Sequence, residues 1–109
     1  MSNTKSFSFG NSTISEEGPC YVIAEIGHNH QGEMDKALQL VRVAASMGAN
    51  AVKFQKRDNK ALFTKEMYEK AYENPNSYGD TYGEHREYLE FGMDEHKALL
   101  ESANQHDVD

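Results

Sequence analysis

The stretch Tyr21–Gln55, "YVIAEIGHNHQGEMDKALQLVRVAASMGANAVKFQ", decides the fold. Its opening, Tyr21 to Ile26, is a short, almost continuously apolar run rich in β-branched side chains, the mark of a strand covered on both faces. From Glu33 the positions Met34, Ala37, Leu38, Val41, Ala45 and Gly48 recur at intervals of three and four, with Asp35, Lys36, Gln39 and Arg42 between them. That spacing predicts an amphipathic helix, and Gly48 and Asn50 supply its stop. Ala51 to Gln55 predicts a second strand. Strand, helix and strand within about 35 residues make one βαβ unit, whose crossover is right-handed and whose strands are parallel. The fold class is therefore α/β.

On the N-terminal side, Phe7 and Phe9 alternate with serines, Gly10-Asn11 follows, and Thr13-Ile14 resumes, which predicts a short β-hairpin. Gly18-Pro19 then breaks the chain. On the C-terminal side, Lys56 to Phe91 is polar and tyrosine-rich; it predicts a short helix from Thr64 to Tyr72 and then an irregular loop through Pro75, Gly79 and Gly83, of a length that is usually functional or disordered. A last helix is expected from Met93 to about Gln105, with His96, Leu99, Leu100 and Ala103 on one face. The next strand is due at "HDVD". Two parallel strands by themselves leave open edges and bury little area, whereas parallel sheets need more strands and cover on both faces, so the pattern reads as a piece of a larger barrel.

With 18 acids against 11 bases and a formal net charge of −7 over 109 residues, the surface disfavours nucleic acid and anionic membrane, whose phosphates would repel it. Any anionic ligand needs a locally basic pocket. The single cysteine, Cys20, forms no intramolecular disulfide and fits a reducing cytoplasm. The N-terminus lacks the apolar core of a signal peptide, and no apolar run approaches the ~18 residues needed to span a bilayer.

In α/β sheets and barrels, ligands sit beyond the carboxyl ends of the strands. Two clusters lie there: Glu25 with Asn29 and His30, and Lys53 with Gln55, followed by Lys56, Arg57 and Asp58. Alternation turns Lys53 and Gln55 to one side of their strand, opposite Phe54, so a cation and an amide face one space, and an anion is the natural guest. The pattern leaves Glu25 open to two readings, a buried structural partner of Lys53 or a working carboxylate. His28 and His30 at i and i+2 match no established metal spacing. Gly27 and Gly32 read as turn residues, since no phosphate-cradling glycine motif is present. Tyr68 and Tyr72 sit at helical spacing and read as packing. "SYGDTYGEH", with Tyr78 and Tyr82, suits either a loop that holds a polyhydroxylated ligand or an ordinary surface turn.

Three segments, "VIAEIGHNHQG", "AASMGANAVKFQ" and "SYGDTYGEHREYLEF", resemble in order and spacing the N-terminal part of the sialic acid (N-acetylneuraminate) synthase family, over Gly18 to Asp109. The resemblance implies a (β/α)₈ TIM barrel, with residues 1–17 as an N-terminal hairpin cap and 18–109 as the first two βα units of an incomplete barrel. It implies condensation of phosphoenolpyruvate with N-acetylmannosamine or a related amino sugar to a nonulosonic acid plus phosphate. It also implies a divalent metal, Mn²⁺ or Mg²⁺, held by histidines outside this chain, a swapped C-terminal antifreeze-like domain, and a homodimer for the complete enzyme. Carried over by position, Glu25 matches the catalytic acid near the enolpyruvate and phosphate, Lys53 a base contacting phosphoenolpyruvate, and Gln55 an amide contacting the sugar. Asn29 and His30 match the site-shaping turn, and Ser77 and Tyr82 bound a loop that approaches the sugar. A fragment of this kind is expected to be inactive alone. The competing readings are a non-catalytic anion- or sugar-binding remnant and a related aldol synthase acting on a phosphorylated sugar, against which "AEIGHNHQG" argues.

Overall fold

The computed structural model describes residues 4–109, so the first three residues of the expected hairpin cap lie outside the described residues. Strands β1 (Ser6–Phe9) and β2 (Ser12–Ser15) pair antiparallel, with Phe9 opposite Ser12 across the two-residue turn Gly10-Asn11. Gly10 takes φ +55°, the left-handed value that the first position of such a turn requires. Strand β3 (Ile23–Gly27), helix α1 (Met34–Ser46) and strand β4 (Ala51–Phe54) follow, and β3 pairs parallel with β4. Beyond them come helices α2 (Asn59–Leu62), α3 (Lys65–Glu69), α4 (Tyr82–Leu89) and α5 (Met93–Gln105).

The core forms where α1 and α5 lie together on one face of the β3–β4 sheet. Ile26, Ala37, Val41, Phe91, Leu99, Ala103 and Val108 are its buried members, with Val52 and Phe54 packed against them. A bulge between Glu25 and Gly27 shifts the register and accompanies the burial of Ile26 in this core. Fully burying a side chain the size of Val or Leu contributes about 1.5–3 kcal/mol, so Val41 and Leu99 each outweigh an exposed ion pair.

Four expectations are corrected. The β3 strand is covered on one face rather than both: Ile23 is 52% exposed, because both helices pack on the opposite side and nothing among the described residues covers this one. Leu100 is 62% exposed; the inward face of α5 is Leu99, Ser102 and Ala103, and Leu100 lies about 100° round the helix from Leu99. The stretch expected to be irregular through Gly83 runs into α4, which begins at Tyr82, while α2 lies ahead of the expected helix, in a segment for which no element was expected. At α4, Thr81 accepts from the Glu84 amide and Glu84 reaches back to the Thr81 amide, a complete capping box. The expected helix from Thr64 to Tyr72 is shorter, Lys65–Glu69, capped by the Thr64 hydroxyl. After it, Ala71 bridges to Thr81 and closes the tyrosine-rich segment into a loop.

Thr81→Ala removes the acceptor for one otherwise unpaired helix-start amide and is expected to cost about 1 kcal/mol. Urea unfolding midpoints of the two proteins check it; an unchanged midpoint would show that α4 does not depend on its cap.

At the N-terminal end of the sheet, the Asp109 amide donates to the Asn50 carbonyl and the Val52 amide donates to the Asp109 carbonyl. These two bonds straddle Ala51 in the manner of a parallel ladder, so Asp109 sits beside β4 on the edge opposite β3. Its carboxylate accepts from the Tyr21 hydroxyl at 2.6 Å and from the Asn11 amide at 3.0 Å, which ties the hairpin to this end. Burial, followed by the Asp109 hydrogen bond, pushes the Tyr21 hydroxyl up to about 12.

Candidate functional site

Parallel register places Glu25 directly beside Lys53. Because alternate side chains share a face, both project from the uncovered side of the sheet, away from the face on which Val52 and Phe54 meet the core. There Lys53 Nζ lies 3.1 Å from Glu25 Oε2, with the two side chains 62% and 47% exposed. An ion pair this open contributes about 0–1 kcal/mol to stability. Of the two readings the sequence left open, a buried structural pair does not describe this arrangement.

Where β3 ends, His28–Glu33 forms a compact turn. The Asn29 amide group and the Asn29 backbone N–H both donate to the Ile26 carbonyl, at 2.9 and 3.0 Å, so Asn29 fixes the exit of the strand. Gln31 has φ +58° and Gly32 φ +75°. The first is a conformation non-glycine residues rarely adopt. At the second, a Cβ would lie 2.5 Å from the Tyr88 carbonyl oxygen, so only glycine lets α4 approach. His30 is 1% exposed, stacked 3.9 Å from Phe91, and its Nδ1 accepts from the Gly32 amide at 3.0 Å. Burial, then the neighbouring His28 and His96, push it down to about 4. His30 is thus a neutral packing element beneath the rim.

Where β4 ends, the Gln55 amide oxygen accepts from the Arg57 guanidinium at 2.6 Å. Arg57 in turn donates its backbone N–H to Glu90 Oε1 at 2.7 Å, and Lys56 Nζ stands 3.3 Å from the same oxygen. Glu90 Oε2 lies 3.4 Å from His28 Nε2, and neither of these buried atoms has a hydrogen-bond partner by strict geometry. Burial lowers the pKa of His28 despite the attraction of Glu90.

Ser77 and Tyr82 are placed elsewhere. The Ser77 hydroxyl donates to the Gly79 carbonyl and lines a groove of about 540 Å³ between Ala71 and Asp80. The Tyr82 hydroxyl accepts from Arg86 Nε at 3.0 Å, and its ring meets Phe63 and Tyr72 edge-on. Both therefore serve the packing of the tyrosine-rich segment, whose Tyr78 stacks on Tyr88. That groove gathers no cation; the paired charges at the strand ends are the stronger candidate for chemistry on an anion.

Glu90 was not singled out from the sequence as a site residue. Its one signal is an acid set between the apolar Leu89 and Phe91, a position that burial makes costly without partners.

A family model described as NeuB family matches residues 40–109. The N-acetylneuraminate-9-phosphate synthase of Mus musculus is 44% identical over 87 residues, covering 80% of this chain and 24% of that protein. The Homo sapiens protein of the same name is 40% identical over 92 residues, covering 84% of this chain and 26% of its own length. Among solved structures, the N-acetylneuraminic acid (sialic acid) synthetase of Leptospira borgpetersenii serovar Hardjo-bovis superposes with a TM-score of 0.72 at 26% identity, over 96% of this chain and 32% of that one. The chain spans about a quarter of the length of the two mammalian relatives, and with most of its residues inside the family model it belongs to the NeuB family.

Proposed function

We propose that this chain forms the opening βα units of a (β/α)₈ barrel in a nonulosonic acid synthase, which joins phosphoenolpyruvate to N-acetylmannosamine or a related amino sugar and releases phosphate. The observation that carries the reading is the Glu25–Lys53 pair, 3.1 Å apart on the uncovered face of a parallel sheet. In a closed barrel, that face looks inward toward the carboxyl-end mouth where ligands bind. The ladder bonds of Asp109 beside β4 support a third parallel strand at that edge, and the free, exposed Cys20 fits a cytoplasmic setting.

The chemistry assigned to these residues is electrostatic and proton-handling. Lys53 places an ammonium where the phosphate and carboxylate of phosphoenolpyruvate bring negative charge, and that charge shifts toward the leaving phosphate as the C–O bond breaks. Glu25, beside it, holds a carboxylate within reach of the water that adds at C2 or of the departing phosphate, where a proton has to move. Gln55 offers its amide to an oxygen of the sugar. Among the described residues no cluster of three or more His, Cys, Asp or Glu side chains could hold a metal ion. Across the described residues no helix is long and apolar enough to cross a membrane.

The test is phosphate release by the full-length gene product containing this chain, incubated with phosphoenolpyruvate, N-acetylmannosamine or its 6-phosphate, and Mn²⁺. Sugar-dependent release is expected; none above the blank would overturn the assignment. The 109 residues alone are expected to release none, and enzyme-like release from them would refute the need for further strands.

A further inference from the structure

We propose that Glu90 is a positioning residue that orients Gln55 through Arg57, so that Gln55 presents its amide N–H donors, and not its carbonyl, to an acceptor oxygen of the sugar. The inference rests on the proposed synthase reading and deepens it at the sugar side of the site.

Three contacts carry it. The Glu90 side chain is only 9% exposed, at the C-terminal end of α4. Its Oε1 accepts from the Arg57 amide at 2.7 Å, which fixes the backbone two residues beyond Gln55. The Arg57 guanidinium then occupies the Gln55 amide oxygen at 2.6 Å. An amide whose oxygen is taken has only its –NH₂ left for a ligand. On the other side, Glu90 Oε2 lies 3.4 Å from His28 Nε2. The route from the carboxylate to the amide side chain thus runs through one residue, Arg57, and both of its hydrogen bonds are short.

The same carboxylate couples the rim to the tyrosine-rich segment. Glu90 precedes Phe91, whose ring stacks on His30, so the end of α4 meets the turn after β3 through the aromatic ring and the loop after β4 through the acid. A free-standing amide samples both flips and many rotamers; one held at its oxygen and at its neighbouring backbone is already in the bound orientation. Displacing such a group by an ångström is enough to weaken a near-attack geometry by one to two orders of magnitude, about 10–100-fold.

The experiment uses the full-length protein. Glu90→Ala and Arg57→Ala are each expected to raise the KM for the amino sugar on the order of tenfold while leaving the KM for phosphoenolpyruvate within about twofold. In a Gln55→Ala background both effects should vanish, because residues acting through one group are not additive. Additive losses, or equal rises in both KM values, would overturn the proposal. A readout independent of turnover is hydrogen exchange at the Arg57 amide. It should be slow in the parent and accelerate in Glu90→Ala, but stay slow in Glu90→Gln, which keeps an acceptor oxygen; no acceleration in Glu90→Ala would refute the clamp. A parent protein that ignores both substrates would sink the synthase reading, and the exchange data would still decide whether Glu90 holds Arg57. Should Glu90→Ala fail to fold, Arg57→Ala, which alters a partly exposed side chain, carries the KM test.

Discussion

Lys53→Met, made in the full-length protein, is expected to lower kcat/KM for phosphoenolpyruvate by about 10²–10³-fold, the usual loss when one preorganised charge is withdrawn from a developing anion. Methionine keeps much of the aliphatic stem, so the change isolates the ammonium. Because the Glu25–Lys53 pair is open to solvent, its removal should move stability by less than about 1 kcal/mol, and thermal unfolding should separate a catalytic loss from a folding loss. Glu25→Gln tests the partner carboxylate. It preserves shape and removes the proton acceptor, and its expected loss in kcat is about 10²–10⁴-fold. If Lys53→Met retained parental kcat/KM with an unchanged unfolding temperature, the pair would be ornamental and the proposed chemistry would have no cation at its centre. The order of the two losses is informative as well. Losing a charge that is felt in the ground state and more strongly in the transition state raises KM and lowers kcat, whereas losing a group that only moves a proton lowers kcat alone.

The features legible in the sequence share a physical cause. The two helices with sustained apolar periodicity, Met34–Ser46 and Met93–Gln105, were bounded to within about a residue or two, because their stripes are long enough to distinguish a period of 3.6 from noise. That Glu25 and Lys53 could lie side by side was legible as one of two readings, since alternation sets the face each side chain takes, but their register came only with the paired strands. Helix α4 was hidden by Gly83, read as a loop glycine. Its true reason is contact: a Cβ there would lie 2.4 Å from the Tyr68 ring, so the glycine admits α3 against α4. The Thr81–Glu84 capping box was present in "TYGE" and would have revealed the helix start. Helix α2 is a single turn at Asn59–Leu62 with its cap supplied by Asp58, too short for any periodicity to register. Glu90 could not be found by motif at all. Its importance comes from three partners on two separate loops, a relation that exists only after β3, β4 and α4 have been brought together. The one-sided cover of β3 was misread because an apolar strand looks the same whether its second face meets helices or the interior of a barrel.

The protein is expected to lose stability on acidification, with His30 as the largest single contributor. In the fold, burial and the nearby His28 and His96 hold its ring down to about 4, against 6.5 for an unperturbed histidine. Between those two values the unfolded chain binds a proton that the folded chain refuses, so stability rises with pH across the window and falls as pH drops through it. At about 1.36 kcal/mol per unit, the contribution is about 3 kcal/mol, complete at neutral pH and mostly gone near pH 4. His28 and His85 are shifted in the same direction by burial, which steepens the slope. Geometry gives the same sign independently: protonating Nδ1 would place a donor against the Gly32 amide that now donates to it at 3.0 Å, and would bury a charge on a ring that is only 1% exposed. Urea unfolding of the full-length protein from neutral to mildly acidic pH measures the slope. His30→Gln keeps an acceptor oxygen for Gly32 but cannot titrate, so it should be less stable than the parent at neutral pH, for want of the stacked ring, and should show a shallower decline toward acid. A His30→Gln protein that lost stability with the parental slope would move the acid sensitivity to other groups and would remove His30 from its place as the neutral ring on which the turn after β3 rests.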